Sequence, residues 1–346
     1  MSTTRKPISK FVASMVSLLI GTIVALLIAE GIVRLFFPES ILPRFVIDGG
    51  YGVRANQPNI VTRHYVPGDY DVTISTNSAG MRGVREYSIE KPAGVHRIAV
   101  IGDSFIFGFG ANDNEVISAV LEKALNKNAS RNGLRYEVIN LSVSGFGQAE
   151  QLITYRELIR NYDLDYVILF YFSNDIGNNA VSGLFTVDSN TEIQRTDASY
   201  LPGVKAREFL YGVPAIRWLF THSQAWNLVR NRLSALVQKS LLKKQGLKNF
   251  SDTQPKAVEL TRALLRQFIK DISSDGARSA VFIIPGKNQE SNFPLTPEEV
   301  IMAGASLIDG RYFLGPNDYY VIDSHWRASG HRKAASAVLD AIADSR

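Results

Sequence analysis

Arg97-Ile98-Ala99-Val100-Ile101-Gly102-Asp103-Ser104-Phe105 joins a short apolar run to a polar turn, and its reading decides the fold. The run 98–101 is apolar without alternation, the pattern of a strand covered on both faces rather than on one. After the turn, Val116, Val120, Leu121 and Leu125 recur at helical spacing and define one apolar face. Working outward, the same rhythm returns. Strands are expected over 136–141, 166–172 and 280–284, and helices over 148–161, 255–274 and 329–343. Strands that alternate with helices imply right-handed βαβ units and an α/β fold, a three-layer α/β/α sandwich on a mostly parallel sheet.

Segment 180–252 breaks the rhythm and reads as an insertion. Its part 218–244 is amphipathic, with Val229, Leu233, Leu236 and Val237 on one side and Arg230, Arg232, Lys239, Lys243 and Lys244 elsewhere. It is expected to pack as a cap over the domain; the alternative is a basic helix resting on anionic lipid. Upstream, 37–94 is rich in Pro, Gly, Asn and Tyr, with β-like stretches such as Tyr70–Ser75, and reads as a linker and N-terminal decoration. The catalytic domain is expected over 95–346.

At the N-terminus, 11–29 carries no charge and no proline. It reaches roughly 28 Å as a helix, close to the ~30 Å of bilayer hydrocarbon. Arg5, Lys6 and Lys10 precede it, which favours a cytoplasmic N-terminus over 1–10, a single-pass anchor over 11–36, and a periplasmic or extracellular remainder. A cleaved signal peptide competes, although Ala29-Glu30-Gly31 makes a poor cleavage site. The net charge of +5 is spread along the 346 residues without a Lys/Arg run, so no nucleic-acid partner is expected. The chain has no cysteine, which removes disulfides, zinc–thiolate sites and thiol nucleophiles. No Gly-x-Gly-x-x-Gly or Gly-Lys-Ser/Thr loop is present, so neither a nucleotide cofactor nor a metal is expected.

In an open α/β sheet, ligands bind beyond the carboxyl ends of the strands, and four polar clusters fall at such ends. Gly102-Asp103-Ser104-Phe105 presents a hydroxyl on a strand-to-helix turn, where the Ser104 N–H can also face an oxyanion. It is not a Gly-x-Ser-x-Gly elbow, because position 106 is Ile. Ser142-Val143-Ser144-Gly145-Phe146-Gly147 allows close backbone approach at Gly145, as a plain turn would too. Ser173-Asn174-Asp175 offers a neutral amide donor at Asn174, or a helix cap. Asp323-Ser324-His325-Trp326 supplies a base of suitable pKa with a carboxylate to orient it. Asp318 is a second candidate for that acid. Of the five histidines, His331 reads as a structural residue in the first turn of the closing helix. Arg82, in Asn77-Ser78-Ala79-Gly80-Met81-Arg82-Gly83, reads as a salt-bridged turn residue, with substrate binding as the alternative.

The order and spacing of these clusters resemble the SGNH, or GDSL, hydrolase family over about 95–346, the insertion excepted. The resemblance implies a flavodoxin-like sandwich with Ser104 as nucleophile, His325 as base and Asp323 as its orienting acid. It also implies an oxyanion hole from the Ser104 N–H, the Gly145 N–H and Asn174. Family members usually carry Asp-x-x-His, whereas this chain carries Asp-x-His-Trp. The shorter form resembles the polysaccharide O-acetyltransferase branch, the alginate acetylation proteins, in which that pair precedes the serine motif. The expected activity is hydrolysis of an acyl ester, an acetyl group on an extracytoplasmic carbohydrate above others. Acyl transfer to a glycan is the alternative, and an inactive binding or assembly protein of an envelope polysaccharide machinery is the third reading.

Overall fold

The computed structural model describes residues 8–43, 45–129, 134–244 and 255–344. The chain splits into two compact units, Met1–Ile41 with Tyr211–Lys248, and Leu42–Leu210 with Asn249–Arg346.

The larger unit holds a five-stranded sheet: β1 (Val95–Ile101), β2 (Arg135–Asn140), β3 (Tyr166–Tyr171), β4 (Arg278–Ile283) and β5 (Ala305–Asp309). The spatial order is β2-β1-β3-β4-β5, and every neighbouring pair is parallel. That order reverses between β1 and β3, the switch point where doubly wound sheets bind ligands. The unbroken apolar runs are explained by two cores, one on each face. Ile98, Val100, Val138, Ile168, Phe170 and Phe282 pack with Ile117, Leu121 and Leu125 and with Val338 and Ile342. Ala99, Ile101, Ile139, Val167, Leu169 and Val281 pack with Leu152, Leu264, Phe268 and Ile272. Successive strand residues thus enter opposite layers, and each large side chain so buried contributes about 1.5–3 kcal/mol. The sheet holds a buried ion pair. Arg97, fully buried, faces Glu137 across β1 and β2 and donates to its Oε2 at 2.9 Å, and to the Tyr162 carbonyl at 2.6 Å.

Several boundaries differ from expectation. The helix expected over 148–161 ends at Glu157, and a 3-10 turn, Ile159–Tyr162, follows. The edge strand β5 and the short helix Pro297–Ala303 before it were not expected. Segment 180–252 is divided between the two units. Its hairpin Phe185–Val187/Ile193–Arg195 belongs to the larger unit, while 211–244 belongs with the N-terminal helix. Residues 245–254 and the side chains of Val237, Lys239, Lys243 and Lys244 lie outside the described part.

In the smaller unit, helix Ile8–Phe36 contains a 27-residue stretch, Lys10–Phe36, within which an 18-residue window has a mean hydropathy of 2.6 and no buried residue. It is long and apolar enough to cross a membrane, as a signal sequence also is. Most of the expected cytoplasmic tail, residues 1–7, lies outside the described part. The amphipathic stretch is two helices, Pro214–His222 and Gln224–Lys244. Glu30 accepts from Ser223 Oγ (2.8 Å) and from the Gln224 and Ala225 N–H groups (2.9 and 3.0 Å), satisfying the exposed amides at the start of the second helix.

The stretch expected to be linker and decoration is folded into the larger unit from Leu42 onward. It forms the antiparallel hairpins Val46–Asp48/Arg54–Asn56 and Val61–Val66/Tyr70–Ser75. Arg82 is buried and donates to the carbonyls of Phe107 and Ala111, and to Asp113. It braces the chain that follows Ser104 and is not open to a substrate.

His331 lies in the first turn of helix Ala328–Asp344, fully buried and edge-on to Trp326 at 5.5 Å between ring centroids. Burial first, then the charges of Arg82 and His325, draw it down from 6.5 to about 3. The unfolded chain therefore binds a proton that the folded chain refuses between pH 6.5 and about 3, so stability falls with acidification through that window. Unfolding free energies measured across it should fall less steeply for His331→Leu, by up to about 1.4 kcal/mol per pH unit. An unchanged slope would contradict the assignment.

Candidate active site

Ser104 opens the short helix Ser104–Phe107 immediately past β1. Asp103 caps it, its Oδ1 accepting from the Phe105 N–H at 2.9 Å. The turn is tight enough to need Gly102, since a Cβ there would stand 2.6 Å from Ile106 Cγ1 and 3.1 Å from Phe170 Cβ. Ser104 Oγ lies 2.8 Å from His325 Nε2, and His325 Nδ1 lies 2.7 Å from Asp323 Oδ2. A carboxylate can only accept, so Nδ1 carries the hydrogen, and Nε2 is left to receive the serine proton. Burial alone would raise the Asp323 carboxyl. The bond and charge of His325, with the Tyr70 hydroxyl, outweigh it and hold the group below the usual carboxylate range. The imidazole is packed between Phe105 and Phe109, 4.9 and 5.4 Å between centroids.

A single residue separates Asp323 from His325, and the backbone accommodates this at Ser324, which is left-handed with φ 62°. The loop is pinned by a residue that sequence reading passed over. Asp69 accepts from the N–H groups of Val321, Ile322 and Asp323 at 3.0, 2.8 and 2.7 Å. On the other flank Trp326 is fully buried against Phe105, 5.4 Å away. Tyr70, from the hairpin, donates to Asp323 Oδ2 at 2.8 Å. Asp318, the second candidate acid, is engaged elsewhere: it accepts from Lys333 Nζ (2.7 Å) and from the Gly315 N–H (2.9 Å).

The expected oxyanion donors follow adjacent strands, Ser104 after β1, Gly145 after β2 and Asn174 after β3. Gly145 is left-handed at φ 74°, and its carbonyl accepts from Arg54 Nη2 at 3.0 Å. The same nitrogen reaches Glu150 Oε1 at 3.0 Å, and burial lifts Glu150 to about 7 against that pairing. Asn174 is exposed at the start of helix Asp175–Ser182 and its side chain makes no capping bond, so the capping alternative does not hold. Behind it lie the buried carboxyls of Asp103 and Asp175, both raised by burial. The Asn174 amide is among the groups that stabilise the Asp103 carboxylate. Among the described residues no three His, Asp or Glu side chains group as metal ligands.

No protein-family model and no curated protein matches the chain. Among solved structures the chain is similar to TesA at 14% identity and a TM-score of 0.41, covering 71% of this chain and 98% of that one. It is also similar to the acetylxylan esterase Axe2 of Geobacillus stearothermophilus, at 14% identity, a TM-score of 0.40, and coverage of 71% and 94%. A third is a lipolytic protein of the G-D-S-L family from Desulfitobacterium hafniense, at 11% identity, a TM-score of 0.40, and coverage of 70% and 98%.

The left-handed turn makes a simple prediction. Ser324→Gly should keep the thermal midpoint of the wild-type chain. Ser324→Val, a β-branched residue forced to positive φ, should lower the unfolding free energy by about 1–3 kcal/mol. Equal stability of the valine variant would show that the loop has another low-energy path.

Proposed function

We propose that the chain is a serine esterase of the SGNH/GDSL type that removes an acyl group, acetyl above others, from an extracytoplasmic carbohydrate. The observation that carries this reading is the unbroken hydrogen-bonded line from Ser104 Oγ through His325 to Asp323. Ser104 Oγ attacks the acyl carbonyl carbon while its proton passes to His325 Nε2. The new imidazolium is stabilised by Asp323. The tetrahedral oxyanion is received by the N–H groups of Ser104 and Gly145 and by the Asn174 amide, donors whose individual loss typically lowers rate ~10²–10³-fold. The C–O bond to the leaving alcohol then breaks, and the alcohol departs with the proton from His325. Water attacks the acyl-enzyme with His325 as base, releasing the acid and restoring Ser104.

Acyl transfer to a glycan hydroxyl uses the same residues, with the acceptor in place of water. The one-residue spacing of Asp323 and His325 favours keeping this reading beside the first. A binding or assembly role within an envelope polysaccharide machinery has no use for so complete a proton line. Helix Ile8–Phe36 would anchor the protein, and Arg5, Lys6 and Lys10 before its uncharged stretch 11–29 support a catalytic unit outside the cytoplasm.

The test uses the full chain in detergent, p-nitrophenyl acetate as acyl donor, and soluble glycans as acceptors. Ser104→Ala should lower nitrophenol release by at least about 10³-fold. Wild-type turnover in that variant would overturn the reading. Acetate recovered on glycan in preference to water would decide for the transferase.

A further inference from the structure

Asp323 Oδ2 accepts twice, once from His325 Nδ1 and once from Tyr70 Oη, 2.8 Å away. Tyr70 Oη in turn lies 2.9 Å from Nε2 of His64, which is fully buried in the same hairpin. Counting hydrogens fixes the direction of every bond. The phenol has one proton, and the ionised Asp323 can only accept, so Tyr70 donates to Asp323. Its oxygen must then accept from His64, which places the single imidazole hydrogen of His64 on Nε2. Burial draws His64 down to about 4, so near neutral pH it is the uncharged ring that this count requires. All the hydrogens therefore point toward one carboxylate oxygen, from His64 through Tyr70 on one side and from Ser104 through His325 on the other.

The phenol has no room to swing away. Its ring meets Tyr320 and His64 at 4.8 Å between centroids, and Tyr320 is itself tied to the Gly110 carbonyl at 2.8 Å. Gly110 is the residue that lets them meet, since a Cβ there would fall 3.0 Å from the Tyr70 ring. Nor is Tyr70 needed merely to attach the hairpin to the histidine loop. The three backbone bonds accepted by Asp69 already do that. What the phenol adds is a second fixed donor on the oxygen that orients His325.

We infer that Tyr70, itself held by His64, is a positioning residue of the reaction, setting the Asp323 carboxylate so that His325 Nε2 meets the Ser104 hydroxyl. This rests on the proposed role of Ser104. It makes the N-terminal hairpin part of the catalytic apparatus, although neither residue touches the reacting atoms.

The experiment uses the full chain in detergent with p-nitrophenyl acetate. Reactive serines are counted by a fluorophosphonate, so that kcat refers only to folded sites. Tyr70→Phe keeps the ring and removes the hydroxyl. It should lower kcat and kcat/KM together by about tenfold, the scale of one hydrogen bond to a charged group, with KM and thermal midpoint unchanged. His64→Gln, which keeps an N–H to offer Tyr70, should stay within about threefold of wild type, whereas His64→Leu should fall toward Tyr70→Phe. Wild-type kcat per site in Tyr70→Phe, beside an inactive Ser104→Ala, overturns the inference and leaves the nucleophile standing. So does a lowered midpoint with unchanged kcat, which would make the contact structural. An active Ser104→Ala removes the proposed function, and the inference with it.

Discussion

The bond from His325 Nδ1 to Asp323 is made across one intervening residue, and much else in the larger unit serves that geometry. A carboxylate and an imidazole two positions apart do not face each other on a helix. Ser324 turns left-handed between them, and the strain is absorbed because the loop is held at both ends. Trp326 sinks into the core on one side. Asp69 gathers three backbone N–H groups on the other. The serine is fixed independently, by the strand β1, by the absence of a side chain at Gly102 and by the Asp103 cap. Two rigid supports then bring Oγ and Nε2 to 2.8 Å without help from a substrate.

The electrostatics follow from the same packing. Asp323 stays ionised although burial opposes it, because His325 and Tyr70 both stabilise the charged form. His64 and His331, each buried, remain neutral. In the proposed reaction positive charge would develop on His325 opposite a carboxylate whose partners are already in place, with little reorganisation.

The sheet was legible because its strands are buried on both faces, so β1, β3 and β4 read as plain apolar runs. β5 escaped because an edge strand needs only one good neighbour; Ala305-Ser306-Leu307-Ile308-Asp309 is half polar and short. Ser104, His325 and Asp323 were legible from local motifs, since each sits at a strand end or in a loop with recognisable chemistry. Tyr70 and His64 were not. Their hairpin reads as a strand pair, but nothing local shows that it meets a carboxylate 253 residues further on. Asp318 misled for the converse reason: proximity in sequence said nothing of Lys333, which claims it through the closing helix. The division of 180–252 between two units was equally hidden, because the amphipathic pattern of 218–244 fits a cap as well as it fits a partner for the N-terminal helix.

The central claim is that Ser104 is a nucleophile activated by His325. Its most direct test is the time course of labelling of the full chain by a fluorophosphonate, followed by peptide mass analysis. A single adduct on Ser104, formed at least about 10²-fold more slowly in His325→Ala, is the expected result. Labelling at another residue, or at an equal rate without His325, would contradict the account.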